Sequence, residues 1–155
     1  MRKQYKHIST STIILLLILA LALVLRVWGA SFGLPFVYHA DEGLEVNRAL
    51  QLGTGSFDYS FFRMLKGGYF YLLFAEYGVL FVVLKLIGSV QSVQDFALLY
   101  VRDPSVFYLV GRVTTAAIGT LSVFLLYRIS TRICSSRVGV IAALLLAVNA
   151  LHVVQ

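Results

Sequence analysis

The sequence predicts an all-α integral membrane fold, and three observations carry that prediction. First, the 155 residues are 59% hydrophobic and only 13% charged, with a mean hydropathy of +0.86. A soluble domain is about half apolar, so lipid must be the solvent for much of this chain. Second, the apolar residues gather in runs of about 20, the length that crosses a hydrocarbon core of about 30 Å at about 1.5 Å per residue. Third, the cations, 13 against 7 acids, stand between these runs rather than on a polar face, as topology-setting charges do. That placement excludes nucleic acid as the expected partner despite the net charge of +6.

Residues 1–11 carry Arg2, Lys3 and Lys6, which assigns the amino terminus to the cytoplasm of a cell-membrane, multi-pass protein. Residues 12–32 form the first predicted span. A cleaved signal peptide competes for this stretch, with small residues at Gly29-Ala30-Ser31. Trp28 stands at the −3 position of that site, and the apolar run continues past Arg26, so a retained anchor is preferred. Arg26 is expected to snorkel or to face other helices, and Trp28 suits the interface belt.

Charge parity orders the rest. If residues 67–87 crossed the membrane, the short loop 128–137 with Arg128, Arg132 and Arg137 would fall outside, against the positive-inside tendency. Glu76 stands mid-way along 67–87, and a carboxylate at mid-bilayer costs about 2.5–3.5 kcal/mol. The expectation is therefore an external loop over 33–106, with juxtamembrane helices near 41–53 and 67–87. Span 2 follows at 107–127, with Arg112 in its first turns. The cytoplasmic loop 128–137 leads to a third span at 138–155, apolar except for Asn149 and His152. That run ends without a polar tail, so the chain reads as the amino-terminal piece of something longer, a single incomplete transmembrane domain.

The external loop holds the chemistry. Asp41 and Glu42 precede apolar residues at helical spacing, Leu44, Ala49 and Leu52, with Gly53 as the stop. In the plain structural reading Asp41 caps this helix, Glu42 and Glu45 complement its dipole, and Glu45 pairs with Arg48. The functional reading differs: an aspartate at a membrane surface is suited to deprotonate a hydroxyl, and the adjacent glutamate can orient the acceptor or bind a metal. A second cluster, Arg63-Met64-Leu65-Lys66-Gly67-Gly68-Tyr69, puts cations and a close-approach glycine pair where an anionic lipid headgroup would lie. Interfacial snorkelling around a Gly-Gly joint is its structural alternative. Arg112 either snorkels or faces a polar cavity. His39 and His152 are candidate metal ligands, each more simply read as a polar aromatic. Cys134 is the only cysteine, so no intrachain disulfide and no zinc spacing exist.

In this order the features resemble the amino-terminal part of GT-C type membrane glycosyltransferases, closest to glycosyltransferase family 39, the protein O-mannosyltransferase-like enzymes, and to the aminoarabinose transferases. The family has a cytoplasmic amino terminus, one span and a long external loop with juxtamembrane helices. Its acidic motif after the first span is matched by Asp41-Glu42. Its Lys-Pro-Pro-Leu-type element is matched by Lys66-Gly67-Gly68-Tyr69, with glycines where the family has prolines. Gly111-Arg112-Val113-Thr114-Thr115-Ala116, Tyr127-Arg128 and Arg137-Val138-Gly139 resemble its next helical hairpin.

The resemblance implies an inverting enzyme that moves a sugar from a polyprenyl phosphate to an acceptor at the external membrane face. Asp41 would be the general base, Glu42 would position the acceptor and Lys66 would bind the donor phosphate, with Arg63 and Arg112 as further phosphate candidates. The implied partners are a lipid-linked sugar donor, membrane lipids and an acceptor that is protein, glycan or lipid. Some relatives use a divalent metal near the acidic loop, and no cofactor is assigned here. A further acidic motif normally follows beyond Gln155, so this piece alone is expected to be inactive. Two other classes compete. One is a transporter or channel component in which Glu76 and Arg112 line a polar path; the other is a non-catalytic membrane protein with the same fold.

Overall fold

The structure, a computed structural model, describes residues 10–37, 39–55 and 68–153. Among the described residues all regular structure is helical, without a strand: α1 (Thr10–Val27), α2 (Ala40–Leu52), α3 (Tyr69–Leu86), α4 (Val93–Arg102), α5 (Ser105–Ile133), α6 (Ser136–Ala147) and α7 (Ala150–Val153). Helices α1, α3 and α5 are long and apolar enough to cross a membrane, which marks the chain as a membrane protein. Helix α6 is apolar but only 12 residues long.

The chain divides into two compact units, one formed by residues 1–30 with 113–155 and the other by residues 31–112. Helix α5 gives its first turns to the second unit and the remainder to the first.

In the unit 31–112, α2 buries Val46, Ala49 and Leu52 against Phe70, Leu73 and Tyr77 of α3. The spacing of three on α2 is one helical face. Phe107, fully buried at the start of α5, receives the edges of Tyr77, Phe96 and Tyr100 with ring centroids 5.0–5.4 Å away. Edge-to-face contacts suit the ring quadrupoles, and burying such a ring contributes about 1.5–3 kcal/mol. Helix α4 begins with a reciprocal capping box in which Asp95 N–H donates to Ser92 Oγ and Ser92 N–H to Asp95 Oδ2. Two α3 tyrosines fasten the start of α5: Tyr77 Oη donates to Phe107 O at 3.2 Å, and Tyr69 Oη to Gly111 O at 2.8 Å. A Cβ on Gly111 would lie 3.4 Å from that Tyr69 hydroxyl, so the glycine gives α3 its close approach.

In the other unit, Ile18 and Ala22 of α1 pack with Val123 of α5 and with Ala143 and Ala147 of α6. Small residues at these contacts let apolar helices approach closely, which is how helices associate where lipid offers no hydrophobic contrast. Helix α1 ends at Val27, and Trp28 to Leu34 form turns, with Gly33 at φ +78. The predicted span over 12–32 is therefore helical only as far as Val27. The apolar run 138–155 is also interrupted: α6 stops at Ala147, and Asn149 starts a new turn by accepting from His152 N–H through Oδ1 at 3.3 Å. The interruption is stabilised from α1. Arg26 donates to Leu146 O and Ala147 O, carbonyls that a continuing helix would have used itself.

Candidate functional site

The acidic pair lies in the first turn of α2. Its N-cap is His39, in extended conformation and without a side-chain capping bond. Asp41 is thus two residues past the capping position, which corrects the capping expectation. Both carboxylates still face favourable helix-end electrostatics, since the N-terminal turn carries partial positive charge. The expected Glu45–Arg48 pair is present at 3.2 Å.

The two adjacent acids are held differently. Arg112, in the third turn of α5, reaches α2 with a two-pronged contact: Nε donates to Glu42 Oε1 at 2.5 Å and Nη2 to Glu42 Oε2 at 3.0 Å. Its remaining Nη1 donates to Phe32 O at 2.7 Å. A planar guanidinium matched to both carboxylate oxygens is the strongest common form of side-chain hydrogen bonding. One side chain thereby joins the segment after α1, the start of α2 and the start of α5. Both partners are only about a fifth exposed. Asp41 is exposed, and among the described residues no hydrogen bond or ion pair holds its carboxylate. A carboxylate with open lone pairs can accept a proton; one locked to a guanidinium is suited to positioning.

Of the sequence-predicted site residues, the structure therefore brings together Asp41, Glu42 and Arg112. Arg112, read from sequence as a phosphate candidate, has its charge answered by Glu42. Arg63 and Lys66 lie outside the described residues. Glu76 is half-buried on α3.

Two polar residues near this pair escaped the sequence reading. Tyr100 Oη donates to Asn47 Oδ1 at 2.8 Å and lies 3.4 Å from Tyr108 Oη. Burial, then the Tyr108 contact, raise the Tyr100 pKa and keep its hydroxyl protonated as a donor. Nothing in the sequence sets Asn47 apart from the other polar residues of α2.

In the unit 1–30 with 113–155, Arg26 faces other helices. It donates to Ala22 O at 2.9 Å and contacts His152 Nδ1 at 2.6 Å, besides the α6 carbonyls. Its Nε is buried without a hydrogen-bond partner. His152, a candidate metal ligand, is thus engaged by a cation, and among the described residues no group of three or more His, Cys, Asp or Glu gathers to hold a metal. His39 and Cys134 are exposed.

No family model matches this chain, and no curated protein or solved structure matches it significantly.

Proposed function

We propose that the chain is the amino-terminal part of a membrane glycosyltransferase that uses a polyprenyl-phosphate sugar and acts on an acceptor at the external membrane face. One observation carries the reading: an exposed Asp41 stands beside a Glu42 locked by Arg112, in the turn of chain after the first apolar helix. Asp41 takes the proton of the acceptor hydroxyl as its oxygen bonds to the anomeric carbon. The bond from that carbon to phosphate oxygen breaks, inverting the centre, and the lipid phosphate leaves with the electron pair. Glu42, held by Arg112, fixes the helix end that presents Asp41. Lys66 and Arg63 supply the phosphate contacts by resemblance to the family's lysine element.

The test is Asp41→Asn in the full-length protein, assayed for transfer from a panel of polyprenyl-phosphate sugars. Removing a general base is expected to lower turnover at least about 100-fold, while the unfolding midpoint stays unchanged because Asp41 is exposed. Unchanged turnover would sink the assignment.

A second reading, a transporter or channel component, is favoured by one feature: α3 is long and apolar enough to cross the membrane and carries Glu76.

A further inference from the structure

The unit formed by residues 1–30 and 113–155 contains seven of the chain's 13 cations and not one aspartate or glutamate; all 7 acids fall within 31–112. Arg26 is answered by helix carbonyls. Arg128, Arg132 and Arg137 are exposed, and residues 1–30 and 113–155 supply no acidic side chain to pair with them. Exposed cations of this kind are open to an anionic ligand.

The three arginines share one end of the unit. Arg128 and Arg132 are one helical turn apart on α5, so their Cβ atoms are about 6 Å from each other. Helix α6 returns along α5: a Cβ on Gly139 would overlap Thr131 Oγ1 and lie 3.0 Å from Tyr127 O. Arg137, two residues earlier, lies in the first turn of α6 at this end of the unit. Arg128 and Arg132 complement the carbonyls of the last turns of α5, but those carbonyls are neutral dipoles and leave the net charge standing.

The shape next to the charge identifies the ligand class. Arg128 and Arg132 share one open face of α5 with Phe124, Leu125 and Ile129, which form a shallow groove along the helix. Arg128 lies over the Phe124 ring, 5.8 Å from its centroid, and Leu125 and Ile129 are about half exposed. A helix face with guanidinia at one end and apolar side chains along it fits a molecule that is anionic at one end and hydrocarbon at the other. A free phosphate would leave the apolar side chains uncovered. Helix α5 is long and apolar enough to cross a membrane, so its charged end meets the headgroup layer.

We propose that the end of α5 is a binding site for an anionic phospholipid, with Arg128 and Arg132 holding the headgroup phosphate, Arg137 adding charge, and Phe124, Leu125 and Ile129 receiving the acyl chain. Forked donors match phosphate oxygens well, and each surface cation adds materially to attraction for anionic lipid. The site is independent of the transferase reading.

The experiment uses full-length protein, delipidated in detergent and titrated with phosphatidylglycerol or phosphatidylcholine, with retained lipid read by native mass spectrometry. The wild type is expected to prefer phosphatidylglycerol by roughly tenfold or more, and millimolar inorganic phosphate should leave that preference intact. R128Q/R132Q should bring the two lipids to equal retention with helix content unchanged. R128K/R132K, which keeps both charges and guards against misfolding as an explanation, should retain the preference. Equal retention of both lipids by the wild type, an undiminished preference in the glutamine variant, loss of preference in the lysine variant, or displacement by inorganic phosphate would each overturn the proposal.

Discussion

Arg112 bonds both carboxylate oxygens of Glu42, a residue 70 positions earlier in the chain. Each partner removed alone leaves the other charged and largely enclosed. Glu42→Gln and Arg112→Gln are each expected to cost roughly 1–3 kcal/mol in detergent unfolding experiments. The double variant should cost less than their sum, with a coupling of roughly 0.5–3 kcal/mol. Arg112→Lys should behave like the glutamine variant, because an ammonium has no fork to match two oxygens. Additive losses would show that the pair is not energetically linked.

Arg26 should prove to hold the α6–α7 interruption in place. Arg26→Met removes the donor to Leu146 O, Ala147 O and His152. A side chain at Gly119 should do the same indirectly, since its Cβ would come 2.8 Å from Arg26 Nε and 3.2 Å from Cδ. Arg26→Met and Gly119→Leu are both expected to accelerate amide exchange across 146–153, and the double variant should add little to either. Unaltered exchange in Arg26→Met would refute the role.

The start of α4 should weaken in acid. Hydrogen bonding with Ser92, and then the Gln91 N–H, holds the Asp95 carboxyl below its ordinary range. A lowered folded-state pKa contributes stability that is present above the ordinary carboxylate range and is lost as pH falls through the folded value. Amide protection at 93–96 should therefore be flat near neutral pH and decline in acid. Asp95→Asn should remove that decline, leaving any separate effect of Asp103, which Ser105 lowers in the same direction. Ser92→Ala should cost about 1 kcal/mol of helix stability at neutral pH.

Topology separates the two functional readings. In a Cys134→Ser background, Ser89→Cys should label from outside the cell and Ser135→Cys from inside if 33–106 is one external loop. If α3 crosses, both sites exchange sides. Impermeant maleimide labelling of intact cells decides between them.

Much of the helical layout was legible because its causes are local. The apolar runs announced α1 and α5, and the spacing of Leu44, Ala49 and Leu52 announced α2. Gly53, named as its stop, is the C-cap. Helix α4 was not seen, although Phe96, Leu99 and Tyr100 stand at helical spacing behind the Ser92–Asp95 capping box, because it is only ten residues long and its outer face also carries the apolar Val93, Leu98 and Val101. The interruption after Ala147 was equally invisible, since Arg26, which donates to the carbonyls at the break, lies more than 100 positions away. At the candidate site, Asp41, Glu42 and Arg112 were all singled out, yet nothing in one sequence links positions 42 and 112. Arg112 was a phosphate candidate only through the family resemblance, whereas its partner comes from another helix.

Helix α5 has a further consequence, one of thickness. Its 29 residues extend about 43 Å, but Arg112 and Arg128 stand only about 24 Å apart along it. Arg112 is tied to Glu42 and cannot reach outward freely, so adjustment to a hydrocarbon layer of about 30 Å falls to the Arg128 end. Tilting would shorten the apolar stretch further, which favours an upright helix and a bilayer drawn in around it. This chain should accordingly partition into thinner membranes and be disfavoured in thick, sterol-rich ones.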